Sequence, residues 1–185
     1  MGCDIHLYIE ARPRIKSKDN YTYPWSSVGF HGEFSSRIYG MFARMANVRS
    51  SNMPYKVQFE PRGLPKDVNN YSLKDSAFLR VTNDNSLLEQ YSNYCSLTMA
   101  EQWINLGVSK WVDETKTHIF NPDYHSFSWL TTQELRQCFD DCFKEEDGTY
   151  KPYSNYSDWL GLVSLCEGIE SDGKTECRVV FYFDN

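Results

Sequence analysis

Between Cys3 and Glu10 the chain alternates strictly, with Cys3, Ile5, Leu7 and Ile9 interleaved with Asp4, His6, Tyr8 and Glu10. A period of two puts alternate side chains on opposite faces of a strand, which a helix of period 3.6 does not do. The chain therefore opens on a strand with one packing face and one polar face, and Asp4 and His6 share the polar one. Near the other end, Cys177 to Phe183 reads as a strand introduced by the Asp172-Gly173 turn. An α+β fold follows, with the N-terminal and C-terminal strands in one mixed or antiparallel sheet packed by several short helices.

The helices announce themselves by period and by caps. Ile38, Met41, Phe42 and Met45 recur at helical spacing, with Ser35 or Ser36 as the expected cap. Thr98-Met99-Ala100-Glu101 has capping-box form and predicts a helix with Met99, Trp103 and Leu106 inward, ended by Gly107. Thr131 with Glu134 is a stronger box, flanked by Leu130 and Leu135 as a hydrophobic staple, and predicts a helix to about Phe143 or Lys144. Ser157 or Asp158 is expected to cap a short helix through Trp159, Leu162, Val163 and Leu165. Tyr21, Tyr23 and Trp25 suggest the start of a second strand, and Asp147-Gly148 marks a turn. Residues 50 to 75 hold Pro54, Pro61, Gly63 and Pro65 and are expected to form one long Pro-rich loop.

At 185 residues the chain suits a single domain, 1–185, able to bury a core without staples. A net charge of −6 argues against duplex nucleic acid as partner, which needs clustered Lys and Arg to neutralise many phosphates. A small anion needs only two or three converging arginines, so it stays compatible with that charge. Six cysteines without a Cys-x-x-Cys pair read as reduced thiols, with Cys138 and Cys142 on a core helix. No apolar stretch approaches a membrane span, and the first 20 residues lack the apolar run of a secretory signal. His6 stands where a myristoylation signal wants Ser or Thr. The expected location is the cytoplasm, with no membrane partner.

Several residues could carry chemistry. Asp4 and His6 fit an orienting acid behind an imidazole, two ligands of a divalent metal, or a hydrogen-bonded pair that fixes the sheet. No His-x-His or His-Glu-x-x-His spacing supplies further ligands, so no metal and no cofactor is assigned. Arg62 lies between Pro61 and Pro65 beside Gly63, in a backbone stiff enough to hold its guanidinium with little entropy loss, or it is a solvated turn residue. His125, Ser126 and Ser128 precede the strongest helix start, where free N–H groups and the dipole favour an anion; the plainer role is capping. His125 can donate a proton or take one near neutral pH. No nucleophile elbow, Walker loop or dinucleotide Gly-x-Gly-x-x-Gly is present.

Five blocks resemble one family. They are Met1-Gly2-Cys3-Asp4-Ile5-His6; Arg37-Ile38-Tyr39-Gly40-Met41-Phe42 with Asn47-Val48-Arg49; Pro61-Arg62-Gly63-Leu64-Pro65-Lys66-Asp67; His125-Ser126-Phe127-Ser128-Trp129-Leu130; and Phe181-Tyr182-Phe183-Asp184-Asn185. The chain resembles a family of small proteins encoded mostly by tailed phages and bacterial genomes that opens Met-Gly-Cys-Asp-Ile-His. Ile38 and Gly40 stand where that pattern has Asn and Asp. The resemblance implies a phage or prophage origin and a bacterial host cytoplasm, with no activity attached. Joined to the phosphate-capable groups Arg49, Arg62, His6 and His125, to Tyr39, and to an aromatic content of 16%, it leads to a nucleotide-binding expectation. A phage accessory protein of that kind would sequester a small nucleotide immune signal, such as a cyclic dinucleotide or a cyclic ADP-ribose derivative. An enzyme reading gives His6 and His125 acid and base roles in phosphodiester cleavage, with Asp4 orienting His6 and Arg62 stabilising the developing charge. A third reading is a protein-protein inhibitor of a host enzyme. The pocket would belong to one chain or be shared in a homo-oligomer.

Overall fold

The computed structural model describes residues 2–14, 22–50, 55–69, 73, 77–151 and 155–184. The chain divides into two compact units, one built from Met1–Asn69 with Ser126–Asn185 and the other from Asn70–His125. It is an α+β protein in which the N-terminal and C-terminal strands share a sheet.

In the first unit, β1 (Ile5–Pro13) pairs antiparallel with β7 (Thr175–Asp184), from Ile5 opposite Phe183 to Pro13 opposite Thr175. β2 (Ser26–Phe34) lies antiparallel on the other side of β1, with an irregularity between Tyr8 and Glu10. β6 (Tyr124–Thr131) follows β7, completing the order β2-β1-β7-β6. The apolar face foreseen for β1 is fully buried: Cys3, Ile5, Leu7 and Ile9 meet Val179, Phe181 and Phe183 of β7 in one core. That core is closed by α1 (Tyr39–Ala46), α4 (Thr132–Phe143) and α5 (Tyr156–Glu170), through Phe42, Phe139 and Trp159 among others. Each such side chain is worth about 1.5–3 kcal/mol of burial, which makes this layer the main source of the unit's stability.

The polar face of β1 is itself largely buried. Tyr8 is 2% and Glu10 1% exposed, beside Tyr182 at 0% and Arg178 at 5%. Phe127 of β6 packs its tilted ring against Tyr182, and Asp67 and Asn69 of the Pro-rich loop bind Arg178 and Glu10. The polar groups on this face are satisfied by one another, which is what permits their burial. Residues 55–69 carry no helix or strand, as the prolines require, while 51–54, 70–72 and 74–76 lie outside the described residues. Backbone bonds fix the loop to its neighbours, with Phe59 N donating to Arg44 O (2.8 Å) and Gly63 N to Phe127 O (2.8 Å). Gly63 has φ +74°, the left-handed conformation glycine tolerates best.

The caps show which local signals hold. Thr131 and Glu134 form the expected box, and α4 ends at Phe143 as predicted. Neither Ser35 nor Ser36 caps α1. Its N-cap position is Ile38, without a side-chain bond, because the buried Ser36 hydroxyl donates instead to Asn155 O (3.4 Å). The helix expected to be short from Ser157 or Asp158 runs for 15 residues, and Leu165 on it is 42% exposed. β2 begins at Ser26, just after Trp25, and Tyr21 lies outside the described residues.

The second unit holds a three-stranded sheet, β4-β3-β5, made of β3 (Phe78–Thr82), β4 (Tyr94–Ser96) and β5 (His118–Phe120). β3 pairs parallel with β4 and antiparallel with β5. Its helices include α2 (Asn85–Gln90) and α3 (Leu97–Asn105). The cap of α3 is Ser96, whose Oγ accepts from Met99 N, rather than Thr98. This shift of frame turns Ala100, Trp103 and Ile104 to the small core and leaves Met99 44% and Leu106 66% exposed. Gly107, at φ +72°, ends the helix as expected.

Candidate functional site

A cleft of about 740 Å³ opens in the first unit. Its walls come from the end of β1 (Arg12, Arg14), Trp25, the Pro-rich loop (Arg62 to Asp67), the start of α4 (Thr131 to Gln133) with Trp129, and the start of β7 (Glu176 to Arg178) with Glu170. Among the described residues five cationic side chains line it, Arg12, Arg14, Arg62, Lys66 and Arg178.

The register explains why these residues meet. Glu10 faces Arg178 and Arg12 faces Glu176 across the β1–β7 ladder, so the charges alternate diagonally on one sheet face. Arg178 Nε donates to Glu10 Oε2 (2.7 Å), and its terminal nitrogens donate to Asp67 Oδ1 (2.8 Å) and Asp67 O (3.1 Å). Glu10 Oε1 accepts from Asn69 N (2.7 Å), and Asp67 Oδ2 from Trp25 Nε1 (2.9 Å) and Arg12 (3.1 Å). Arg12 also binds Glu176. Both guanidiniums lie over the Trp25 ring, at 4.3 Å for Arg12 and 4.0 Å for Arg178. Burial alone would raise the Asp67 carboxyl, but the bonds from Arg178 and Trp25 outweigh it and hold the group below its usual range.

The other wall is organised by Arg62. Its backbone N–H donates to Ser128 Oγ (3.2 Å), and its guanidinium grips Glu134 with both forks, at 2.9 and 2.7 Å. It lies 4.9 Å from the Trp129 ring centroid and 5.1 Å from that of Phe59. Arg62 is therefore held in place, as its prolines imply. The helix start it faces is already occupied, because Glu134 Oε2 also accepts from Thr131 N (3.0 Å). Burial would raise the Glu134 carboxyl, yet Arg62 and the Thr131 amide hold it below its usual range. The cations with the loosest internal ties are Arg14, whose one ion pair among the described residues is to Glu170 (3.1 Å), and Lys66.

The remaining predicted residues lie elsewhere. Asp4 is bound by the Arg37 guanidinium, not by His6. His6 Nε2 pairs instead with Asp184 Oδ2 (3.1 Å), and its ring stacks on Tyr182 at 4.8 Å and 9°. Asp184 is held for that role by Asp4 N, which donates to its Oδ1 (2.9 Å). Tyr39 opens α1, 41% exposed, with its ring edge-on to Phe42. Arg49 adopts φ 56°, and its charge acts on the buried Cys3 thiol, which burial pushes up. Ser126 also has positive φ (52°), and Ser128 is fully buried as the acceptor for Arg62. The His125 to Trp129 segment lies in β6, which runs directly into the helix at Thr132, and His125 falls in the second unit whereas His6 falls in the first. Of the predicted set, Arg62 belongs to the cleft and Ser128 supports it from behind.

The chain matches no family model, no curated protein and no solved structure. Sequence reasoning missed Arg12, Trp25, Asp67, Arg178 and Asp184. Arg178 was visible as a lone cation in the apolar run Cys177 to Phe183, where a buried guanidinium demands an acid on the facing strand.

Among the described residues no group of three or more His, Cys, Asp or Glu could hold a metal ion. No helix among them is long and apolar enough to cross a membrane.

Proposed function

We propose that the cleft binds a small nucleotide and that the protein acts by sequestering it. The observation that carries this reading is the combination of five cationic side chains with the Trp129 indole in one 740 Å³ cleft. That volume falls within the ~300–1,000 Å³ of small-molecule sites. Arg14 and Lys66 supply phosphate donors, the Trp129 face supplies stacking worth about 1–3 kcal/mol per base, and the pinned loop loses little entropy on binding. None of the described lining residues is a histidine, so a bound phosphodiester would meet donors rather than an imidazole acid–base pair, which favours retention over cleavage. Together with the sequence resemblance, this supports a phage accessory role in which the ligand is a cyclic dinucleotide or a cyclic ADP-ribose derivative used as an immune signal.

The test incubates the purified chain with cyclic mono- and dinucleotides and cyclic ADP-ribose isomers, then measures free ligand by chromatography before and after heat denaturation. Sequestration depletes one ligand and returns it intact on heating. Recovery of a product replaces this reading with catalysis, and ligands that all stay free and unchanged overturn it.

A further inference from the structure

Three of the cleft's arginines are spent on acids: Arg12 on Glu176 and Asp67, Arg62 on Glu134, and Arg178 on Glu10 and Asp67. Two of the cleft's acids are only half spent. Glu170, the last residue of α5, and Glu176, near the start of β7, both line the cleft. Glu170 Oε1 accepts from Cys177 N (2.8 Å) and from Arg14 (3.1 Å), and Glu176 Oε1 accepts from Arg12 Nε. Among the described residues neither Oε2 accepts a hydrogen bond. The Glu170 side chain is 22% exposed and that of Glu176 34%, so each unspent oxygen is partly shielded from water and held by its anchored partner. Arg12 is itself fixed, over the Trp25 ring at 4.3 Å and on Asp67 at 3.1 Å, which orients the Glu176 carboxylate before any ligand arrives.

A carboxylate accepts hydrogen bonds and repels a phosphate, so these oxygens suit the base of a nucleotide and not its backbone. Guanine presents two adjacent donors, N1–H and the N2 amino group, which one carboxylate accepts together. Adenine and cytosine set a ring-nitrogen lone pair beside their amino group, and uracil flanks its single N–H with two carbonyls. Of the two acids Glu176 has room for both donors, because Glu170 Oε1 already accepts two bonds. We propose that Glu176 selects guanine and that the ligand is a guanine-bearing cyclic dinucleotide. This selection rests on the nucleotide reading of the cleft and narrows it: a cyclic ADP-ribose derivative carries adenine, which turns a lone pair toward the same carboxylate.

The full chain is titrated calorimetrically with cyclic di-GMP, cyclic di-AMP and cyclic di-IMP, which share one backbone and differ only at the base. Cyclic di-GMP should bind about tenfold or more tighter than cyclic di-AMP. Cyclic di-IMP keeps N1–H but lacks the N2 amino group, and should fall between them. That comparison needs no variant, so it holds even where a variant fails to fold. Glu176→Gln replaces one acceptor by a donor, the pairing that adenine's edge takes, and should bring the guanine and adenine affinities together from both sides. Glu176→Ala should lose the guanine preference without a gain for adenine. Native chain that binds cyclic di-AMP as tightly as cyclic di-GMP, or retains cyclic ADP-ribose alone, overturns the guanine selection and leaves the nucleotide reading standing. A guanine preference unchanged in both variants overturns Glu176 as its source. If no nucleotide binds at all, the nucleotide reading fails and the selection falls with it.

Discussion

Replacing Arg178 by Met should unfold this protein more readily than any other single change on the polar face of the β1–β7 sheet. The Arg178 side chain is 5% exposed and the Glu10 side chain 2%, with a 2.7 Å contact between them. Met fills much of the same volume but leaves the Glu10 carboxylate buried, its described support reduced to the Asn69 N–H at 2.7 Å. Stranding one partner of a buried pair costs about 3–5 kcal/mol. Asp67, the other acid on Arg178, is 55% exposed and regains water, so it adds little. For a chain of this size the loss corresponds to a fall in Tm of about 6–20 °C. Urea unfolding, read at unchanged m, gives the free energy directly. Adding Glu10→Gln to Arg178→Met removes the stranded charge and should restore about 1–3 kcal/mol of it. A single variant costing less than about 1 kcal/mol, or a double variant equal to the sum of the singles, would show that the pair is not the buried, mutually dependent unit described above.

Glu134→Gln keeps the box geometry but breaks the charged fork to Arg62, and should cost about 1 kcal/mol by urea unfolding while raising the mobility of the Arg62 loop in hydrogen exchange. Asp67 and Glu134 are both held below their usual range in the folded state, so between the folded and unfolded titrations the unfolded chain binds more protons. Their stabilisation is complete above the usual carboxylate range and is lost as pH falls from there through the lower folded values; an acid titration of Tm should show Asp67→Asn flattening that loss, and an unchanged slope would discount the Arg178 contacts. Asn47 ends α1 at φ 55°, so Asn47→Val should cost about 1–2 kcal/mol and Asn47→Gly less. If the proposed ligand is found, Trp129→Ala together with Arg14→Ala should weaken retention about tenfold or more without changing the urea midpoint by a similar measure; equal retention would place the ligand elsewhere.

What could be read from the sequence followed the range of the interaction. Thr131 and Glu134 are three residues apart, and the bonds they exchange are fixed by helix geometry alone, so the box and the end of α4 emerged correctly. The alternation in β1 correctly gave Cys3, Ile5, Leu7 and Ile9 as core. It could not say what covers the other face, because Phe127, Asp67 and Arg178 come from distant parts of the chain. Where two local solutions compete, tertiary contacts decide: Ser36 has the chemistry of a cap but is used by Asn155, and Ser96 captures the α3 start from Thr98.

The same logic governs the Asp4 and His6 pair from which the polar face was first inferred. Two residues at i and i+2 on a strand share a face, but β1 begins at Ile5, one residue after Asp4. Sharing a face does not make them partners, since each can also reach a neighbouring strand or a flanking loop. Arg37, just before α1, offers Asp4 a two-pronged, charge-assisted contact that an imidazole cannot match. Asp4 taken in this way still presents its backbone N–H to Asp184, and Asp184 then turns its second oxygen to His6. The acid behind the imidazole thus comes from the last strand, and only the β1–β7 register, with Ile5 opposite Phe183 and His6 opposite Tyr182, selects it. Register depends on every pair along the ladder, so no motif of six residues can encode it. The Asp184 carboxylate adds side-chain ties to the β1–β7 ladder, so Asp184→Asn should loosen the His6 ring from Tyr182 while Asp4→Asn mainly frees Arg37.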